Sequence, residues 1–153
     1  MDPRTRELAK LVVDYALKVK HGENVMIAGG TEAQDFIAAL YKEVILRGAH
    51  PNLRMNIPGL KAFFFNNAKE HQIKKFPELF AHAVKNTQKY IGINSTANTK
   101  ELTSCDPKKI TTREKIVHPI KNYICNGQPD IYRSSVAFPC SAMAQEAEMD
   151  LIE

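Results

Sequence analysis

The stretch of sequence that decides the fold reads NVMIAGGTEAQ and spans residues 24–34. Its first five residues form a short apolar run, which is typical of a buried strand. Gly29 and Gly30 end that run, and Thr31 is followed by Gln34 at the spacing of a capping box, which predicts a helix start. A buried strand that leads directly into a helix favours an α/β fold.

Strands and helices alternate outward from this stretch along the chain. The alternation predicts an α/β fold with an open, mainly parallel sheet of about four strands and with helices on both faces. Asp2-Pro3 and Asp106-Pro107 each combine a capping residue with a proline at the first helical position, so each predicts a helix start. The predicted strands span residues 24–28, 52–57, 89–94 and 132–138.

The second strand and the helix after it are predicted in more detail. Leu53, Met55 and Ile57 alternate with polar residues, so this strand is expected to be half-buried and to lie near an edge of the sheet. A single helix is expected from Leu60 to about Lys75, where apolar residues recur at helical spacing.

Length and composition are those of a globular domain. The chain has 153 residues, of which 44% are apolar, and a net charge of +4. Its 21 basic residues are scattered, which argues against a nucleic-acid partner. No apolar run approaches the roughly 18 residues that would cross a membrane, and the first residues lack the layout of a signal peptide. We therefore expect a cytoplasmic protein without a membrane partner.

Gly29, Gly30 and Thr31 are the candidate ligand contacts. They join a strand to a helix start, where free backbone N–H groups and the helix dipole can bind a phosphate or a carboxylate. The dinucleotide and phosphate-loop patterns are both absent, and Glu32 in the first helical turn would repel an anion. The segment is either a small anion site or a plain tight turn.

No residue pattern predicts catalysis or a metal centre in this chain. A metal site needs three or four converging ligands, and the histidines lie far apart in the sequence. They are His21, His50, His71, His82 and His118. Cys105, Cys125 and Cys140 are too widely spaced for a zinc knuckle or a disulfide framework, so we expect three reduced thiols. We nominate no catalytic and no metal-binding residue.

The carboxy-terminal end of the sequence carries the signal of a helix start without the helix. Residues 142–147 favour a short helix, and the last four residues, DLIE, have the spacing of a capping box. The local pattern is compatible both with an interrupted helix and with a frayed tail.

Several segments match the pattern of one enzyme family. The most specific reads FPCSAMAQEAEMDLIE, residues 138–153, and is similar to an aromatic residue, Pro-Thr, small residues, Ala-Gln-x-Ala-x-Met and then Ser-Leu-Glu-Glu. NTKEL at residues 98–102 and DPK at residues 106–108 resemble an Asn-Thr-basic loop and the Asp-Pro start behind it. Residues 8–17, 21–25 and 47–51 continue the likeness. The whole chain thus resembles the aminopeptidase T and aminopeptidase S family of thermophilic-type metallo-aminopeptidases.

This resemblance implies an activity for the longer enzymes of the family rather than for this chain. Family members remove N-terminal residues from peptides with a pair of divalent metals, cobalt or zinc, and form dimers. The resemblance implies that their metal ligands and catalytic Glu lie in a carboxy-terminal domain, so no such residue is carried over here. It also aligns residues 150–153 with a helix that opens the linker toward that domain.

The resemblance sets the expected organisation of the chain. Residues 1–139 are expected to form an amino-terminal α/β domain, and residues 140–153 the start of the linker. Pro139, Cys140 and Gln145 lie at the passage between the two domains, where Cys140 replaces the family's usual Thr. The expected partner is the carboxy-terminal catalytic domain of the same family, and a homodimer is a second expectation.

Three functions remain open for such a domain. The first is a non-catalytic role in which it shapes access to the active site of a two-metal aminopeptidase. The second is that of a stand-alone binding or assembly module, which predicts an exposed apolar face. The third is that of a small-molecule or nucleotide binder that uses the turn from Gly29 to Thr31, which predicts a ligand-dependent rise in melting temperature.

Overall fold

The sheet in the computed structural model has four strands, and the model describes residues 1–150. The strands are β1 (Asn24–Gly30), β2 (His50–Asn56), β3 (Lys89–Asn94) and β4 (Tyr132–Ala137). Every neighbouring pair is parallel, and the strand order is β2-β1-β3-β4. The predicted open α/β sheet of about four parallel strands is therefore confirmed.

Helices cover both faces of this sheet, as the alternation predicts. The α-helices described are α1 (Pro3–Lys10), α2 (Gln34–Leu46), α3 (Leu60–Asn67), α4 (Glu70–Lys74), α5 (Glu78–Lys85), α6 (Pro107–Asn126) and α7 (Ser141–Glu146). A π-helical segment, Leu11–Ala16, continues α1. α1 and α2 pack on one face, whereas α5 and α6 pack on the other. None of the helices in residues 1–150 is long and apolar enough to cross a membrane.

Both predicted proline helix starts are confirmed. The side chain of Asp2 accepts a hydrogen bond from the backbone N–H of Arg4 at 2.9 Å, and Asp106 accepts one from the backbone N–H of Lys108 at the same distance. Each bond satisfies a donor that the first helical turn leaves without a partner. The proline after each cap costs the helix no hydrogen bond, because the backbone N–H that proline lacks would have no helical partner at this position.

The side chains of the central strands alternate between two apolar cores. Ile27 of β1 and Ile91 of β3 pair in register and face α1 and α2. Met26 lies on the opposite face, among side chains of α5 and α6. This alternation follows from the two-residue period of a strand. It is the reason why the central strands are apolar on both sides.

Strand β2 lies at an edge of the sheet, as predicted, but it is not half-buried. Leu53, Met55 and Ile57 are 50%, 37% and 56% exposed. An edge strand has a neighbour on one side only, and the buried side chains of the helices pack against β1 and β3. The alternation of apolar residues in β2 is therefore not a sign of burial.

The single helix expected from Leu60 to Lys75 is wrong, because the chain leaves the helix at Ala68 and Lys69, which are extended. The side chain of Asn67 donates to the carbonyl of Phe63 at 2.9 Å. The backbone N–H of Lys69 donates to the side chain of Gln72 at 2.8 Å and starts α4. Local side-chain bonds of this kind compete with helical ones. The predicted capping box at the carboxy-terminal end includes residues 151–153, which lie outside the described residues.

Candidate functional site

A cleft of about 760 Å³ opens at the carboxyl ends of β1, β2 and β3. Gly30 ends β1, Asn56 ends β2 and Ser95 follows β3, and all three line the cleft. The strand order puts β2 and β3 on opposite sides of β1, so the chain reverses its progress across the sheet at this point. Ligands of open α/β sheets bind at such a switch point, outside the carboxyl ends of the strands.

Small residues on the sheet leave room for this cleft. Ala28 and Gly92 pair in register on the two central strands, and Arg54 of β2 pairs with Ala28 on the other side. Ala28 and Gly92 are only partly buried. Each follows by two residues a side chain that faces α5 and α6, namely Met26 and Tyr90, so both belong to that face. The sheet is therefore incompletely covered beside Arg54 and Tyr90, which line the cleft.

Gly30 is required by the close approach of the segment after β3 rather than by a positive φ angle. Its backbone is extended, with a φ of −83°, and a Cβ atom there would lie 2.7 Å from the carbonyl oxygen of Ser95. A Cβ atom on Gly29 would meet Ile93 at 3.0 Å and Ile37 at 3.2 Å in the core. Both glycines thus belong to β1, and the turn into α2 begins only at Thr31.

The predicted ligand contacts lie in two different surroundings. Gly30 and Thr31 line the cleft, whereas Gly29 packs against the apolar core. Thr31 begins a short 3₁₀ turn, Thr31–Ala33, that leads into α2. The side chain of Thr31 makes no capping bond, so the capping box expected with Gln34 is wrong.

Charged side chains of both signs line the cleft. The acids are Glu32 and Glu101, and the bases are Arg54, Lys61 and Lys121. Glu101 accepts a hydrogen bond from the backbone N–H of Gly59 at 2.6 Å, which joins the segment after β3 to the turn after β2. This bond occupies part of the carboxylate of Glu101 but leaves its charge in place, and the three bases outnumber the two acids by one.

Arg54 lies over an aromatic ring. The Cζ atom of its guanidinium is 3.6 Å from the ring centroid of Phe80 in α5. Stacking of this kind uses the face of the guanidinium and leaves its N–H donors, which point outward in the plane, free for other partners. No acid in residues 1–150 forms an ion pair with Arg54.

Tyr90 keeps its phenol protonated at neutral pH. Burial raises the pKa of Tyr90, the charge of Arg54 opposes this shift, and Cys125 adds to it. A phenol loses its proton less readily when it is removed from water, since the anion loses its hydration. The hydroxyl of Tyr90 is therefore a hydrogen-bond donor over the physiological range.

Ser95 lines the same cleft with an unsatisfied hydroxyl. The residue is 9% exposed, and its Oγ atom has no hydrogen-bond partner in the part of the chain that the structure describes. A buried hydroxyl without a partner costs about 1–3 kcal/mol. A ligand or a water molecule in the cleft would remove this cost.

Sequence reasoning missed Arg54, Tyr90 and Ser95, because they come from β2, β3 and the segment after β3. One signal was available: Ser95 directly follows a predicted strand, where sites of parallel sheets cluster. No signal of this kind marked Arg54, which reads as an exposed residue of an edge strand.

The residues expected at the passage between domains lie behind the rim of the cleft. Pro139 and Gln145 are exposed, whereas Cys140 is 4% exposed and its Sγ donates to the carbonyl of Thr96 at 3.2 Å. The hydroxyl of Thr99 donates to Glu146 of α7 at 2.8 Å. These bonds tie the segment after β4 to the loop of residues 95–102, which forms one wall of the cleft.

The described residues do not fit a metal centre. In residues 1–150, no three side chains of His, Cys, Asp or Glu lie close enough together to hold a metal ion. Cys105 and Cys140 are buried and Cys125 is exposed, and all three are free thiols. The chemistry available in the cleft is therefore that of hydrogen bonding and charge.

One comparison identifies the family, and a second shows a similar fold. The family model described as "Thermophilic metalloprotease (M29)" matches residues 1–153. The solved structure "Wild-type AmpT from Thermus thermophilus" is similar in fold, with a TM-score of 0.70 and 21% identity, over 88% of this chain and 36% of that one. No curated protein matches the chain significantly. The match over its whole length shows that the chain belongs to the M29 family of thermophilic metalloproteases.

Proposed function

We propose that the chain is the amino-terminal, non-catalytic domain of a two-metal aminopeptidase that removes N-terminal residues from peptides. Its role is to shape access to the active site. The observation that carries the proposal is the family match over residues 1–153 in a chain that covers 36% of AmpT. A chain that covers this share of a longer enzyme has the size of one of its domains.

The family's description as metalloproteases implies a metal in the parent enzyme. We propose that this metal is cobalt or zinc and that a carboxy-terminal domain holds it, since the described residues of this chain do not fit a metal centre. That catalytic domain is then the main partner of this one, and a second copy of the enzyme is a further partner.

The contacts of α7 support a role in access. The segment after residue 139 is held to the cleft wall by the bond from Cys140 to Thr96 and by the bond from Thr99 to Glu146. Lys100 adds an ion pair with Glu146 at 3.9 Å. In the proposed arrangement residues 140–153 begin the linker, so the catalytic domain borders the loop of residues 95–102. A wall at this place limits the size of peptides that enter.

A first experiment measures hydrolysis of leucine p-nitroanilide by the purified 153-residue chain, with and without added cobalt or zinc. We expect no turnover above that of the buffer. Metal-dependent turnover that persists through further purification would contradict the proposal. A Phe36→Ala variant, which loses a fully buried ring, separates turnover by the folded chain from that of a contaminant.

A second experiment tests the role in access. In a chimera, this chain replaces the matched region of AmpT, and the rates for a dipeptide and a ten-residue peptide are compared. Glu146→Ala removes the hydrogen bond from Thr99 and the ion pair with Lys100, and we expect it to raise the relative rate for the longer peptide. Glu114→Ala is the matched control, an exposed acid of α6. An unchanged ratio with Glu146→Ala would exclude the proposed role of this wall.

A further inference from the structure

We propose that the cleft binds the oxyanion of a small ligand, a carboxylate or a phosphate, with Arg54 as its charged donor. This inference goes beyond the proposed function, because binding by this domain needs neither a metal nor catalysis. It also differs from an anion site on the turn of Gly29 to Thr31, because the charge comes from β2.

The position of Arg54 is the first observation that supports an anion site. Its guanidinium lies over the ring of Phe80, with the Cζ atom 3.6 Å from the ring centroid, and the exposed side chain lines the cleft. Among residues 1–150 it forms no ion pair and no side-chain hydrogen bond. A planar guanidinium with free donors binds two oxygens of a carboxylate or a phosphate at once.

The residues around Arg54 are the second observation that supports an anion site. Ala28 and Gly92 continue the row of Arg54 across the sheet and leave space where larger side chains would fill it. Tyr90 lies close enough to Arg54 for that charge to act on its pKa, and its protonated hydroxyl can donate to an oxyanion. A bound oxyanion therefore finds a cation, a neutral donor and room beside both.

The buried hydroxyl of Ser95 is a second, independent sign of a ligand. It lines the cleft, and it has no partner among the described residues. Buried polar groups of folded proteins are nearly always hydrogen-bonded, so an exception calls for a missing partner. Ser95 directly follows β3 at the switch point, where ligands of parallel sheets bind.

The charges of the cleft agree with an anionic ligand. Three bases and two acids line it, and Glu101 is already bonded to Gly59. Glu32 lies in the first helical turn and is exposed to solvent, which screens its repulsion. Lys61 and Lys121 are exposed as well, so the same screening weakens their attraction for an anion.

The test is a titration of the ¹⁵N-labelled 153-residue chain with inorganic phosphate and, separately, with acetate, at constant ionic strength set by chloride. We expect saturable shifts in the backbone signals of Arg54, Tyr90 and Ser95. Tighter binding of phosphate identifies a phosphate ligand, whereas tighter binding of acetate identifies a carboxylate. The absence of saturable shifts with both anions would overturn the proposal.

Charge-matched variants make the test specific. Arg54→Gln should weaken binding by about ten- to a hundredfold, since it removes a charged hydrogen-bond donor. Arg133→Gln removes the same charge from exposed β4 and should leave binding unchanged. Arg54→Lys keeps the charge but lacks the planar guanidinium, so it should also weaken binding. If Arg54→Gln does not fold, Arg54→Lys takes its place in the test. Equal weakening by Arg133→Gln and the Arg54 variants would show attraction by net charge alone and would overturn the site.

Discussion

The two faces of the sheet are buried to different extents. Under α1 and α2, sixteen buried apolar residues form one core, whereas the core under α5 and α6 has five, counted over the described residues. The sheet presents Ile27 and Ile91 to the first face but Ala28 and Gly92 to the second. The larger core holds the fold together, while the smaller one leaves a cleft. The larger core and the cleft proposed to bind a ligand thus lie on opposite faces of the same strands.

The largest effect is expected in the larger core. Phe36 is fully buried and stacks on Phe138 with 5.1 Å between ring centroids. Phe36→Ala should lower the free energy of unfolding by about 3–5 kcal/mol, because it removes apolar contacts and leaves a cavity. Urea denaturation followed by circular dichroism measures this loss. Phe63→Ala is the matched control: this ring is 66% exposed and should cost less than about 0.5 kcal/mol.

A pair of isoleucines compares the two faces directly. Ile91→Ala in the larger core should fall in the upper part of the range of about 2–5 kcal/mol, whereas Ile124→Ala on the other face should fall in the lower part. Ile124 lines the cleft, so the space left by its side chain opens partly to solvent instead of forming a closed cavity. Denaturant unfolding of both variants checks the difference. An equal or larger loss with Ile124→Ala would mean that the second face is as tightly packed as the first.

A pair of glycines tests the close approach at the end of the cleft. Gly30→Ala places a methyl group 2.7 Å from the carbonyl oxygen of Ser95 and should cost about 1–3 kcal/mol. Gly92→Ala meets Tyr90 at an ordinary 3.6 Å and should be nearly neutral. Melting temperatures of the two variants are sufficient to compare them. A destabilising Gly92→Ala with a neutral Gly30→Ala would contradict the strand geometry.

The smallest effect is expected from the titration of Tyr90. Burial raises its pKa in the folded state above that of the unfolded chain, near 10. Below that unfolded value both states hold the proton, so Tyr90 adds no pH dependence. Above it the unfolded state loses the proton first, and stability falls as the pH rises. Urea midpoints between pH 8 and 11 should therefore decline less steeply for Tyr90→Phe than for the unchanged chain. Equal slopes would show that Tyr90 is not the responsible group.

The alternation of strands and helices could be predicted because its signals are local. The strand predicted at residues 89–94 coincides with β3, and the caps at Asp2 and Asp106 form as expected. Such signals depend on neighbouring residues and on backbone preferences, which a chain carries without its fold. Two other predictions fail where other interactions compete with these local preferences. The exposed alternation of β2 depends on what covers the sheet, and the break at Ala68 depends on side-chain bonds.

Much less of the candidate site could be predicted. The sequence pointed to Gly29, Gly30 and Thr31 as one segment, whereas the structure divides them between the core and the cleft. The period of two residues explains the division: neighbours in a strand face opposite sides, so Gly29 packs in the core while Gly30 lines the cleft. Arg54 and Ser95 come from other elements and gave no common signal.

The amino-acid sequence by itself determined the class of fold, the helix starts at Asp2 and Asp106 and the family of the chain, because each depends on residues that are close together or on a recognisable pattern. Only the tertiary structure decided the strand order β2-β1-β3-β4, and with it the meeting of Gly30, Arg54 and Ser95 at one cleft. The physical reason is that pairing between strands distant in sequence depends on how the whole set of apolar faces can be buried together. That requirement is global, and no short stretch of the chain contains it.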